Sequence, residues 1–186
     1  MEKISEKIMY EGKWLSFVEV TWRHEDGTIH VWESVRRKLK NAIVIIPRLV
    51  PSNRFVLIKE YRAAVANFVI EFPAGLVEYD NIEEEALREL EEETGYVGTI
   101  REVSSLIDMN SAMTDATFQV AFVDIDETLE VNKNPQQKLD GAENIEVFTV
   151  AEEELSQFFK EMKDSGAHFV PSVWYYFSGL LGRPVL

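Results

Sequence analysis

The 186-residue chain is 46% apolar and 28% charged, the balance of a soluble globular protein with one domain and at most a small appendage, long enough to bury a substantial core. Its formal net charge of −14 argues against nonspecific binding to nucleic acid or to an anionic membrane, and an anionic substrate would need local cations, either metal or arginine. With no cysteine there is no disulfide framework, thiolate nucleophile or zinc-finger site, which fits an intracellular, cytoplasmic protein. The opening MEKISEKIMYEGK lacks the apolar core of a signal peptide, and no apolar run is long enough to span a bilayer.

Residues 14–23 alternate and are rich in Val, Phe, Trp and Thr; an Asp26-Gly27 turn follows and residues 28–35 return, so the spacing predicts a β-hairpin. Arg36-Arg37-Lys38 is a basic cluster in an acidic chain, suited to phosphate but equally readable as a solvated strand end. Residues 41–47 (NAIVIIP) form a short apolar run, read as a buried strand, and Pro51-Ser52-Asn53 mark a turn. Residues 55–61 (FVLIKEY) give another strand, ended by Arg62, and residues 68–72 (FVIEF) a third, which runs into Pro73-Ala74-Gly75. Glu71 stands inside that strand between apolar neighbours; an isolated buried carboxylate is costly, so it is expected to meet a cation, a metal-bound water or a donor.

The stretch that follows carries the most information. After Gly75 and a short polar loop, Ile82, Ala86, Leu87 and Leu90 recur at helical spacing, and Gly95 stands where a helix C-terminal glycine belongs. Glu89, Glu92 and Glu93 lie at i, i+3 and i+4 and project from one face, with Glu85 one turn back on the same side. Like charges so arranged repel unless a cation is bound, and clustered carboxylates with a nearby backbone carbonyl suit Mg²⁺ or Mn²⁺. A solvated acidic face is the competing reading of this stretch on its own.

Further on, residues 99–107 and 117–125 are predicted strands, separated by the polar loop DMNSAMTD at 108–115. Residues 128–139 are polar and predicted to form a mobile loop. In DGAENIEV, Glu146 sits in strand alternation with Ile145 and Val147, whereas Glu143 precedes the strand. Leu155, Phe158, Phe159 and Met162 are spaced for a helix, and Pro171-Ser172 open a second one that runs to about residue 181. Both are predicted to be packing elements.

Gly75, a polar loop, then Arg88-Glu89-Leu90-x-Glu92-Glu93-x-Gly95 resembles the Nudix box of pyrophosphohydrolases, with Tyr96 in the slot where that family usually has an aliphatic residue. The loop is one residue shorter than the family pattern; the family's loop glutamate falls on Asp80 or Asn81, and neither takes its role. The segment EGKWLSFVEV…GTIHVWESVRRK is similar to the N-terminal arm of the ADP-ribose pyrophosphatase branch. There the arm builds a dimer and places tryptophans over the adenine, and Trp14 and Trp32 match those positions; packed core or dimer residues are the alternative for both. Arg37 and Arg62 match arginines that hold the nucleotide, Glu71 matches a site position, and Leu76 joins the substrate-binding set. Glu143 matches the glutamate beside the attacking water. A proline typical of the branch is replaced by Ser111.

The resemblance, which extends over residues 12–181, implies an α+β fold. It implies a Nudix-type α/β/α sandwich with a mixed β-sheet over residues 40–186 and an N-terminal antiparallel β-hairpin arm over 1–39. It implies a homodimer and Mg²⁺- or Mn²⁺-dependent hydrolysis of a small nucleotide, ADP-ribose or another ADP-sugar, to AMP and a sugar phosphate. The Ala74 carbonyl, Glu89 and Glu93 are the implied metal ligands, Glu92 serves a second ion or the water, and Glu92 and Glu143 are the catalytic pair. A dinucleoside polyphosphate, another sugar nucleotide or a cap-like dinucleotide stay open as substrates. A noncatalytic nucleotide-binding module is the remaining alternative, against which the intact block of acids counts.

Overall fold

Strand pairing near the N-terminus reaches further than the predicted hairpin. In the structure, a computed structural model that describes residues 1–78, 81–141 and 143–185, three antiparallel strands form there: β1 (Glu2–Glu11), β2 (Leu15–Arg23) and β3 (Ile29–Arg37), in the order β1-β2-β3. β2 and β3 pair without interruption from Leu15↔Arg37 to Arg23↔Ile29. Gly27 closes their turn at φ 88°, a left-handed value that glycine adopts without a Cβ penalty, and the Asp26 carboxylate accepts from the Thr28 N–H at 2.9 Å. β1 lies outside the predicted hairpin because every residue in it is exposed, so no buried face marks it in the sequence.

The remaining strands are β4 (Asn41–Val50), β5 (Phe55–Arg62), β6 (Asn67–Glu71), β7 (Ala74–Leu76), β8 (Thr99–Val103), β9 (Ile107–Asp108), β10 (Thr117–Asp126), β11 (Ile145–Val150) and β12 (His168–Phe169). The helices are α1 (Ile82–Thr94), α2 (Glu130–Lys133), α3 (Leu155–Asp164) and α4 (Pro171–Leu181). The chain divides into two units, Met1–Ala42 with Leu76–Asp80 and Ser105–Gln119, and Ile43–Gly75 with Asn81–Ser104 and Val120–Leu186.

In the first unit the polar segment DMNSAMTD is held to β3. Trp32 Nε1 donates to the Ala112 carbonyl at 2.8 Å, Ser34 Oγ and Val35 N both donate to the Met113 carbonyl at 2.8 Å, and Lys40 pairs with Asp115 at 2.8 Å. A stretch without apolar periodicity is thus fixed through its carbonyls, which periodicity cannot reveal.

In the second unit the sheet runs β12-β6-β5-β4-β10-β8, with β11 paired to β5. β12 is parallel to β6 and β5–β6, β5–β11 and β8–β10 are antiparallel, so the sheet is mixed and the fold α+β. The core forms where α3 and α4 cover the sheet. Leu155, Phe158 and Phe159 fill one face of α3, as their spacing predicts, and Val173 and Phe177 one face of α4. Phe55, Phe72, Phe159 and Phe177 are completely buried, each contributing on the order of 1.5–3 kcal/mol by removal from water. Phe177 packs its ring against the other three at centroid separations of 5.1–5.6 Å.

The predicted mobile loop at 128–139 is corrected. It contains α2, and Asn132 inside it is buried, its amide accepting from Val97 N and donating to the Val97 and Asp126 carbonyls, each at 2.9 Å. Gln137 Nε2 donates to the Glu93 carbonyl at 2.7 Å and Lys138 N to the Glu92 carbonyl at 2.8 Å. The segment therefore satisfies two of the last carbonyls of α1, one through the Gln137 side chain and one through the Lys138 backbone. Gly95 is required twice over there: it is left-handed at φ 76°, and a Cβ would fall 2.3 Å from Gln136 N.

Candidate active site

α1 starts with Asn81, whose side chain accepts from Glu84 N at 3.4 Å, and ends with Gly95 N donating to the Glu91 carbonyl at 2.8 Å. Ala86 and Leu90 of the predicted stripe are completely buried. Two acids are buried with them: Glu85 is 3% exposed and Glu93 6%. Their positions follow from the helix period, which carries Glu85, Glu89, Glu92 and Glu93 around the flank of the apolar stripe.

Glu93 accepts from the Ala74 N–H at 2.9 Å. Glu89 occupies the space that a Cβ on Gly75 would fill, since such an atom would stand 2.1 Å from its carboxyl carbon. Arg88 reaches Glu85 at 2.7 Å, Glu89 at 2.5 Å and Glu92 at 2.6 Å. Sequence spacing points to Glu84 or Glu92 as its partners. Glu92 is one, but Glu84 is replaced by Glu85, because Glu84 faces solvent while Glu85 lies on the buried side. Among the described residues no three acids already converge at metal-ligand geometry: the guanidinium draws three of these carboxylates to itself, and the fourth is turned onto a backbone N–H.

Four carboxyl groups crowd one guanidinium with little water around them, which disfavours their charged forms. Burial pushes the Glu93 carboxyl up to about 8, the charges of Glu89 and Glu60 adding to the rise and the Ala74 N–H opposing it. Burial also raises Glu89, against the pull of Arg88. Hydrogen bonding to Glu85, with the charges of Glu89 and Glu92, holds Arg88 firmly protonated above its usual range despite burial.

A second group lies on β5 and β6. Arg62 Nε and Nη2 donate to the two oxygens of Glu71 at 2.6 and 3.0 Å, so the buried carboxylate of Glu71 meets a cation. Arg62 Nη2 is also 2.9 Å from Glu60, whose carboxyl is raised by burial, with Glu71 and Glu143 repelling it further. Glu60 is not a residue that motif matching singles out. The alternation of FVLIKEYR is the signal that finds it, because Glu60 and Arg62 share one side of a strand. Glu143 is exposed, and its carboxylate accepts from Asp140 N at 2.9 Å. Glu146 pairs with Lys59 at 2.7 Å across β11 and β5, a surface ion pair.

In the first unit, Trp14 is 67% and Trp32 54% exposed; Lys13 lies 4.6 Å over the Trp14 ring, and the Trp32 ring is fixed by its N–H bond to Ala112. Arg36 is engaged by Glu6 at 2.7 Å and Asp115 at 3.5 Å, whereas the Arg37 guanidinium has no ion pair or side-chain hydrogen bond among the described residues. Leu76 ends β7 and is exposed. Asp80 lies outside the described residues.

A NUDIX domain profile matches residues 38–173. The chain is 34% identical over 160 residues to the ADP-sugar pyrophosphatase of Mus musculus, covering 81% of this chain and 73% of that protein. It is 31% identical over 160 residues to the ADP-ribose pyrophosphatase of Saccharomyces cerevisiae, covering 81% and 68%. A crystal structure of an ADP compounds hydrolase superimposes with a TM-score of 0.68 at 16% identity, covering 86% of this chain and 84% of that one, a likeness of fold.

Proposed function

The chain belongs to the Nudix family of hydrolases, and we propose that within it this protein splits the diphosphate of a nucleoside diphosphate linked to a sugar, with ADP-ribose, cleaved to AMP and ribose 5-phosphate, as its preferred substrate. The substrate class is supported by the mouse and yeast relatives and by the matching arm sequence. One observation carries the chemistry: four carboxylates on one flank of α1, three of them tied to a single guanidinium and two of them buried.

That donor set fits a hard divalent cation. Carboxylate and carbonyl oxygens are hard donors, a bound cation would favour the charged forms of Glu89 and Glu93 that burial disfavours, and Gly75 leaves the room in which Glu89 sits. Glu89, Glu93 and the Ala74 carbonyl would hold it, and Glu92 a second ion or the water. Mg²⁺ or Mn²⁺, when bound, supplies charge neutralisation at the diphosphate oxygens and a more acidic water. Arg88 keeps the carboxylates of α1 oriented from its own side chain. Glu143 takes a proton from the attacking water as its oxygen bonds to phosphorus and the bridging P–O bond breaks. Arg37, uncommitted among the described residues, and Arg62 donate to phosphate oxygens, and the indoles of Trp14 and Trp32 offer faces to the base. Glu71 holds Arg62, and Leu76 adds an apolar contact to the substrate. We place the enzyme in the cytoplasm as a homodimer built through its arm, without nucleic-acid or membrane partners; no described helix is long and apolar enough to cross a membrane.

Purified protein incubated with Mg²⁺ and a panel of ADP-ribose, other ADP-sugars, other sugar nucleotides and dinucleoside polyphosphates, with product identification, tests the reading. AMP and ribose 5-phosphate are the expected products. A different best substrate is the second reading, favoured by Ser111 and the shorter loop, and absence of any metal-dependent release would contradict both.

A further inference from the structure

Glu60 has no part in the chemistry derived so far, yet it is a nearly buried acid set among other acids. On β5 it faces the same way as Arg62, two residues on, and its backbone is opposite Ile145 of β11 and Val69 of β6. Glu71 of β6 lies opposite Ile58, so its side chain emerges on that same face. The side chains of Glu60 and Glu71 are only 13% and 12% exposed, against 41% for Arg62.

A guanidinium has five N–H donors in a fixed plane. Nε and Nη2 of Arg62 donate to Glu71 at 2.6 and 3.0 Å, and Nη2 stands 2.9 Å from the Glu60 carboxylate as an ion pair. Nη1 makes no hydrogen bond among the described residues. An arginine gripped by one carboxylate alone can pivot about that pair; a second carboxylate on Nη2 removes the pivot. We propose that Glu60 is a positioning residue of the substrate site, which with Glu71 fixes the plane of Arg62 so that the substrate meets only Nη1. Arg62 then makes a one-ended contact to an anionic oxygen of the substrate, not the bidentate contact that a free guanidinium forms. The inference rests on the reading of Arg62 as a substrate-binding residue.

The test is a double-mutant cycle with the full chain: wild type, Glu60→Ala, Glu60→Gln, Arg62→Ala and Glu60→Ala/Arg62→Ala, assayed on whichever panel compound the wild type hydrolyses fastest. Glu60→Ala is expected to raise KM about tenfold, the scale of a lost contact to a charged group, with kcat within about twofold. Glu60→Gln keeps an oxygen facing Nη2 and is expected to stay within about threefold of wild-type KM. In the Arg62→Ala background Glu60→Ala is expected to change KM no further, because the two act as one unit. A tenfold rise that persists without Arg62, or a loss confined to kcat, overturns the positioning role. Wild-type indifference to ADP-ribose alongside a coupled cycle on another compound would overturn the choice of substrate and leave the positioning role supported.

Discussion

Glu85 and Glu93 of α1 are acids lying almost wholly out of water, whereas Trp14 and Trp32 of the N-terminal arm are large apolar side chains lying in it. Each arrangement is unfavourable in the isolated chain, and the difference is in what could relieve it. The acids have a partial remedy built in, since Arg88 pairs with Glu85 and the Ala74 N–H with Glu93, and what remains is relieved by a proton on Glu93 or by a further cation. Among the described residues the indoles are held by Lys13 over Trp14 and by the Ala112 carbonyl on Trp32, and their open faces call for a flat apolar partner. Strain from buried charge points to one ligand chemistry, while an open ring fits a base, a second subunit or neither.

The sharpest way to separate the two regions is Glu92→Gln. It is expected to lower turnover by on the order of 10²–10⁴-fold while the melting temperature stays near wild type, because Glu92 is only half-buried. Unchanged turnover would break the account of α1. Gly75→Ala should follow, at about a hundredfold loss of kcat/KM, because its Cβ displaces the Glu89 carboxyl; a crystal structure of the variant would show whether that group has moved. Trp14→Ala and Trp32→Ala should leave kcat unchanged and raise KM about tenfold, the scale of one lost base stack. Sedimentation of the same variants shows whether dimerisation is what they affect instead.

The smallest effect is on stability. Glu93 carries an ordinary carboxyl pKa of 4.5 when unfolded and one of about 8 when folded. Its protonated form therefore stabilises the fold fully below pH 4.5, and that contribution is lost as pH rises through 8. Metal-free protein should accordingly melt several degrees lower at pH 8 than at pH 5, and Glu93→Gln should flatten the slope in thermal scans with chelator present. A slope unchanged by the substitution would show that the burial of Glu93 is not its cause.

What could be read in advance follows the kind of order each element uses. α1, α3 and α4 announce themselves because their buried faces repeat at helical spacing, and Asn81 and Gly95 mark the ends of α1. The candidate site was legible on α1 for the same reason, since helix spacing alone groups its acids. β1 is silent because nothing in it is buried, and α2 because one polar residue, Asn132, anchors it through hydrogen bonds that no periodicity encodes. Alternation along β5 sets Glu60 beside Arg62, but the third member, Glu71, arrives from β6 through a register that the sequence does not spell out.

The most direct measurement is anomalous scattering from crystals soaked in Mn²⁺ with a non-hydrolysable ADP-ribose analogue. The expected result is manganese within bonding distance of Glu89, Glu93 and the Ala74 carbonyl. Saturating manganese with no peak on that flank of α1, and Arg88 still holding Glu85, Glu89 and Glu92, would contradict the account.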